Sequence, residues 1–144
     1  MKSLIIITGL VFSTLLLAAN PTVDKHILAC FKRAFPQVEN VKWSPEGNLW
    51  VAGFKVNGNF NILYYNNDGE VVLSRRYYGA EGLSLFIRAR LYKRYTGKTV
   101  YGVTEITKGD KVTYSIVMED KKKWYVIEAN SDGVMQQVKK FNKV

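Results

Sequence analysis

The chain carries one cysteine and one histidine in 144 residues, and that scarcity excludes a good deal. Cys30 alone can form no intramolecular disulfide, so the fold has to hold by packing. A closed zinc site takes about four Cys or His ligands, and Cys30 with His26 supplies only two; no metal is expected. The same pair stands four residues apart on one helix, where a Cys-His nucleophilic couple is conceivable. Activation would need an exposed thiolate in an electropositive pocket, and the reading taken is a core cysteine with a histidine at its rim. No glycine-rich phosphate loop follows a strand, and the carboxylates show no pairing suited to glycoside hydrolysis. The stretch Asn66-Asn67-Asp68-Gly69-Glu70 lacks the ligand spacing of a calcium loop and reads as a tight turn. No catalytic residue and no cofactor are expected.

Long apolar runs are confined to the N-terminus. Met1-Lys2-Ser3, the run Leu4 to Leu17 and the small pair Ala18-Ala19 form the three parts of a secretory signal peptide over residues 1–19, with cleavage after Ala18 or Ala19. The run falls short of the roughly 20 residues that span a bilayer; an uncleaved anchor is the alternative. Residues 20–144 then form one domain, periplasmic or secreted, with no transmembrane span.

Acidic residues are also few, 12 against 21 Lys and Arg, for a formal charge of +9. In an exported chain such a balance suits lipid headgroups, envelope polysaccharide or an acidic protein rather than nucleic acid, and plain solubility is the other reading. Apolar residues make up 47% of the chain and aromatics 13%, enough to build a core and to exclude disorder.

Periodicity organises that material twice. Val23, Ile27, Cys30, Phe31, Ala34 and Phe35 fall on one stripe of a helix that Pro36 stops. Strands follow over Val41–Trp43, Leu49–Val56, Phe60–Tyr65 and Val71–Arg76, with Asn57-Gly58 and Asn67-Asp68-Gly69 as hairpin turns. A second helix, Gly82 to Tyr95, places Leu83, Phe86, Ile87 and Leu91 inward. Four more strands follow, ending with Val134–Phe141. Lys32 to Phe35 answers Tyr92 to Tyr95, Phe54 answers Tyr114, and Asn66 to Gly69 answers Asn130 to Gly133. The helix pair is offset by 60 residues and the turn pair by 64, which puts four extra residues in the second copy, assigned to the charged turn Asp120–Lys123. Two repeats, about 22–78 and 82–142, are the expectation.

The run Phe31-Lys-Arg-Ala-Phe35-Pro36, with Val41-Lys42-Trp43, Trp50-Val-Ala-Gly-Phe54 and Tyr65-Asn-Asn-Asp68-Gly69, resembles the PepSY-like domain of exported Bacteroidota-type proteins, which is similar in fold to β-lactamase-inhibitor protein. The second copy departs from the pattern, with Thr96-Gly97 in place of the proline and no tryptophan in Gly102 to Glu105. The resemblance implies an α+β fold of two helix-plus-antiparallel-strand units, with the helices packed on one face of the sheet and the two sheets joined side by side. It also implies a role in holding or inhibiting other proteins rather than catalysis, with no binding residue carried over.

Two surfaces could bind. One is the basic helix with Arg88, Arg90, Lys93 and Arg94, preceded by Arg75 and Arg76; a solvated face is the plain reading, and Arg90, bordering the apolar stripe, would meet a carboxylate. The other is the sheet face turned from the helices. With Trp50, Ala52 and Phe54 inward, Val51, Lys55, Leu63 and Tyr65 are placed outward, and Trp124 and Val126 likewise in the second unit. The candidate partner-binding set is Lys55, Leu63, Tyr65, Arg75, Arg76, Trp124 and Val126. That face is either a docking surface or buried between units or molecules. The expected function is an exported binding module for another envelope or secreted protein. The alternatives are a small-ligand carrier with a pocket between helix and sheet, or a structural protein at the envelope surface.

Overall fold

The computed structural model describes residues 22–144; the expected signal peptide lies outside them. Helix α1 (Lys25–Ala34) starts at Asp24, whose carboxylate accepts the backbone N–H of His26 at 2.7 Å, and it buries Ile27 and Phe31. That cap satisfies one of the orphan donors of the first turn. Strands β1 (Lys42–Glu46), β2 (Leu49–Val56), β3 (Asn59–Tyr65) and β4 (Val71–Tyr78) follow. A 3-10 turn at Ala80–Gly82 leads to helix α2 (Leu85–Arg94), where the Ser84 hydroxyl accepts from the Ile87 N–H. Strands β5 (Thr99–Lys108), β6 (Lys111–Glu119), β7 (Lys123–Asn130) and β8 (Met135–Asn142) complete the chain. All eight strands pair antiparallel in sequence order in a single sheet, so the fold is α+β, and β4 joins β5 without a break.

Both helices lie on one face of this sheet, over separate cores. Under α1 pack Ile27, Phe31, Val38, Ala52, Phe54, Leu63 and Tyr65. Under α2 pack Leu83, Ile87, Leu91, Val103, Ile116, Met118 and Ile127, with Tyr78, Tyr125 and others around them. Register places Asn61, Ser74, Arg76, Glu105 and Thr107 on this same side between the two cores. There Arg76 pairs with Glu105 at 3.1 Å, and the Tyr78 hydroxyl donates to the other Glu105 oxygen at 2.5 Å. A polar seam therefore divides the helix side of one continuous sheet.

Several expectations change. Cys30 is half-buried rather than core. The turn after β3 folds over it, with Gly69 so close that an added Cβ would come within 2.9 Å of its sulfur. Exposed His26 sits 3.8 Å from that sulfur and 3.0 Å from the carbonyl of Asp68. Phe86, placed on the inward stripe from spacing, is 51% exposed; Leu83, Ile87 and Leu91 fill the inward positions by themselves. Arg90 meets no carboxylate, and its guanidinium lies over the Phe86 ring, 5.3 Å from the centroid.

The two halves show the same local geometry. Asn66 Oδ1 accepts the N–H groups of Asp68 and Glu70, and Asn130 Oδ1 those of Asp132 and Val134. Gly69 and Gly133 both have φ of +78°. Gly69 abuts His26 and Cys30 of α1, as Gly133 abuts Phe86 and Arg90 of α2. Register shows where the two halves differ in length. Trp43 opposes Ala52 as Val103 opposes Ile116, and Ala52 opposes Leu63 as Ile116 opposes Ile127. Counted across the sheet, the buried pair Ala52 and Phe54 stands where Ile116 and Met118 stand in the other half, so that Met118 rather than Tyr114 occupies the place of Phe54. The β5–β6 hairpin is the longer one: it closes at Lys108 and Lys111, whereas β1–β2 closes at Glu46 and Leu49.

Candidate functional site: the open face of the sheet

Because both helices occupy one side, the other side of the sheet has no described element over it. Antiparallel partners share a face, so register lists its occupants without ambiguity. One row across six strands reads Lys55, Phe60, Tyr77, Thr104, Ser115 and Glu128. The next reads Gly53, Ile62, Arg75, Ile106, Thr113 and Asn130. Val51, Tyr64 and Leu73 form a third beside them. The ring of Phe60 leans over Gly53, where a Cβ would approach it to 3.4 Å, and stacks at 5.9 Å on Tyr77.

Arg75 stands in the middle strands of this face. Its guanidinium lies over Tyr64 at 5.4 Å, and its Nε is buried without a hydrogen-bond partner. Neither ion pair of the described residues includes it. At the β7 end Trp124 meets Tyr101 edge-on at 4.9 Å, with the Lys143 ammonium 4.5 Å from the Trp124 centroid. A bulge between Val100 and Gly102 turns Tyr101 out to 68% exposure. Val126 lies opposite Val117 on the same face.

The candidate set therefore divides. Lys55, Arg75, Trp124 and Val126 lie on the open face. Leu63, Tyr65 and Arg76 do not. Leu63 opposes Ala52 and Tyr65 opposes Trp50, so both turn toward α1, at 9% and 2% exposure. Burial, with Cys30 nearby, pushes the Tyr65 hydroxyl up to about 12. Arg76 opposes Asn61 on the helix side and is taken up by Glu105. Phe60, Ile62, Tyr64 and Tyr77 were missed on the open face. The two-residue turn Asn57-Gly58 held the signal: it sets Val56 against Asn59, which puts Leu63 against Ala52 and frees the even-numbered neighbours for the other side.

Among the described residues no group of three or more His, Cys, Asp or Glu side chains could hold a metal ion, and no helix is long and apolar enough to cross a membrane. A cleft of about 270 Å³ opens beside the seam, lined by Phe35, Phe54, Asn61, Ser74 and Arg76 among others. The open sheet surface is one place where aromatic and charged groups converge.

Solved structures share this architecture. A DUF2874 family protein from Bacteroides ovatus aligns with a TM-score of 0.64 at 19% identity, over 85% of this chain and 89% of its own. A protein from Bacteroides eggerthii described as periplasmic aligns at 0.63 and 16% identity, over 85% and 90%. A BLIP-like protein from Bacteroides fragilis aligns at 0.63 and 13% identity, over 85% and 87%. The chain has, then, a BLIP-like α+β fold, that is, one like β-lactamase-inhibitor protein. No family model matches the sequence, and no curated protein matches it.

Proposed function

We propose that this chain is an exported, non-enzymatic binding module that holds or inhibits another envelope or secreted protein through the open face of its sheet. The observation that carries this reading is the face itself: aromatic, aliphatic and hydroxyl side chains across its middle strands, flanked by Lys55, Glu128 and Asn130, with the Arg75 Nε left without a partner among them. Interfaces are enriched in tyrosine, tryptophan, phenylalanine and arginine at their centres, and that is the composition here. An antiparallel sheet is stable with one face covered, so the fold leaves this surface free. The periplasmic description of the Bacteroides eggerthii protein and the BLIP-like one from Bacteroides fragilis favour a periplasmic or secreted setting. The matching turns, caps and registers of the two halves favour a duplicated unit of PepSY-like type, with the extra length in the β5–β6 hairpin.

Crosslinking in the native envelope, followed by mass spectrometry, tests the reading. One dominant protein is expected, its capture lowered at least about 30-fold by Arg75→Glu or Trp124→Ala, the effect of losing an interface hot spot. Capture that is indifferent to both substitutions would remove the sheet face from the proposal.

A further inference from the structure

The side of the molecule away from the open sheet has a different character. Helix α1 carries Lys25, Lys32 and Arg33, α2 carries Arg88, Arg90, Lys93 and Arg94, and neither contains an Asp or Glu. In α2 only Ile87 and Leu91 face the core. Leu85 is left 75% exposed, Phe86 51% and Tyr92 39%. A groove of about 550 Å³ runs between α2 and the turn before β8, lined by Phe86, Arg90, Lys93, Arg94, Gly133 and Met135. No carboxylate lines it. Arg94 donates to the Met135 carbonyl at 2.5 Å, whereas Arg90 and Lys93 enter no ion pair among the described residues.

We propose that the outer surface of α2 docks the protein on an anionic lipid surface, independently of the sheet face. Charge complementarity selects an anionic partner: basic residues near such a surface each strengthen attachment about five-fold. The apolar groups choose among anionic partners. Phosphate headgroups would meet Arg90 and Lys93 while Leu85 and Phe86 enter the boundary with the acyl chains, the arrangement of a helix lying in the interface plane. A polysaccharide would engage the cations and leave Leu85 and Phe86 in water. The sheet, on the opposite side of the helices, would remain accessible while the protein is attached.

Co-sedimentation with vesicles of equal phosphatidylglycerol and phosphatidylcholine, against vesicles of phosphatidylcholine alone, tests this on the exported protein. Binding is expected to the first and not the second. The pair Arg90→Glu with Lys93→Glu should weaken it about 25-fold or more. The pair Lys139→Glu with Lys140→Glu on β8 changes net charge equally and should weaken it far less. Leu85→Ser with Phe86→Ser should abolish the binding that survives at about 0.15 M salt, where screening has reduced the charge contribution. Thermal melts confirm that each variant is folded. Equal loss in both charge pairs would overturn the proposal in favour of net charge alone. Unchanged binding in the Leu85 and Phe86 variant would overturn it in favour of a soluble anionic polymer. Either result leaves capture of a protein by the sheet face untouched.

Discussion

Beneath α1 the core is centred on a cluster of rings, and beneath α2 on aliphatic and thioether groups. Phe31 lies 5.0 to 5.5 Å from Phe35, Trp43 and Phe54, and Trp43 stacks further on Tyr65. In place of Phe31, Trp43, Phe54 and Tyr65 the α2 side has Leu91, Val103, Met118 and Ala129, three of them at 3% exposure or less, and of these rings only Phe35 has an aromatic counterpart, Tyr95. Two tyrosines of the α2 cluster have their hydroxyls held by carboxylates, Tyr78 by Glu105 and Tyr125 by Asp120 at 2.6 Å. One backbone frame thus accepts two solutions. Ring shape specifies the first core, while the second combines smooth packing with a hydrogen-bonded rim, and the polar seam keeps the two apart.

The largest effects should come from emptying each core in turn. Phe31→Ala is expected to cost roughly 3–5 kcal/mol and Leu91→Ala roughly 2–5 kcal/mol, the range for deleting buried side chains of these sizes. Hydrogen exchange makes the comparison sharper. If the seam divides the molecule, Phe31→Ala will speed exchange in β1 to β3 far more than in β6 to β8, and Leu91→Ala will do the reverse. Equal acceleration everywhere would mean that the β4–β5 pairing welds both halves into one cooperative unit, and the division would be broken.

Smaller differences are expected at the paired turns. Gly69 and Gly133 share φ of +78°, where alanine is strained whatever the space around it. An added Cβ would come within 2.9 Å of the Cys30 sulfur in the first turn, and of the Arg90 and Phe86 side chains in the second. Cys30 is short and half-buried, whereas Arg90 and Phe86 are exposed and can swing aside. Both alanine variants should lose at least about 1 kcal/mol, Gly69→Ala more than Gly133→Ala, as measured by urea denaturation. The reverse order would show that cover from α2 is the more rigid.

Much of this was legible in residue order. The helix stripes, the Asn57-Gly58 and Asp-Gly turns and the helix–strand alternation follow from local chemistry, although β1 runs on through Pro45 and Glu46, and α2 begins at Leu85 rather than Gly82. Facing was legible only where register was followed through. Leu63 and Tyr65 were assigned outward because β3 was phased by itself rather than against β2 across a two-residue turn. Phe86 was assigned inward because spacing alone does not separate two adjacent helical positions when Leu83, Ile87 and Leu91 already fill the contact. Arg75 and Arg76, consecutive and alike in sequence, point to opposite sides of β4; only the pairing of Arg76 with Glu105 distinguishes them. That pairing spans the seam between halves, which no local pattern contains.

The smallest expected effect belongs to a turn that differs between the halves. The β2–β3 connection is closed by Asn57 and Gly58, both at positive φ, and carries no ionisable group. Its counterpart between β6 and β7 is closed by Asp120, which accepts the hydroxyl of Tyr125 and the N–H groups of Lys122 and Lys123. The Tyr125 hydrogen bond, then that of the Lys122 N–H, holds the Asp120 carboxyl down from 3.8 to about 2. Since the folded-state value lies below the unfolded one, the stabilisation is complete above about pH 4 and is lost as pH falls through about 2. Wild type should therefore lose melting temperature more steeply than Asp120→Asn between those limits, while the two run parallel near neutrality. An Asn57→Asp variant, placed where no hydroxyl waits for the carboxylate, should add no such slope. If Asp120→Asn follows the wild-type curve throughout, the charge of the Asp120 carboxylate contributes nothing to folding, and the two turns are alike in their response to pH despite their chemistry.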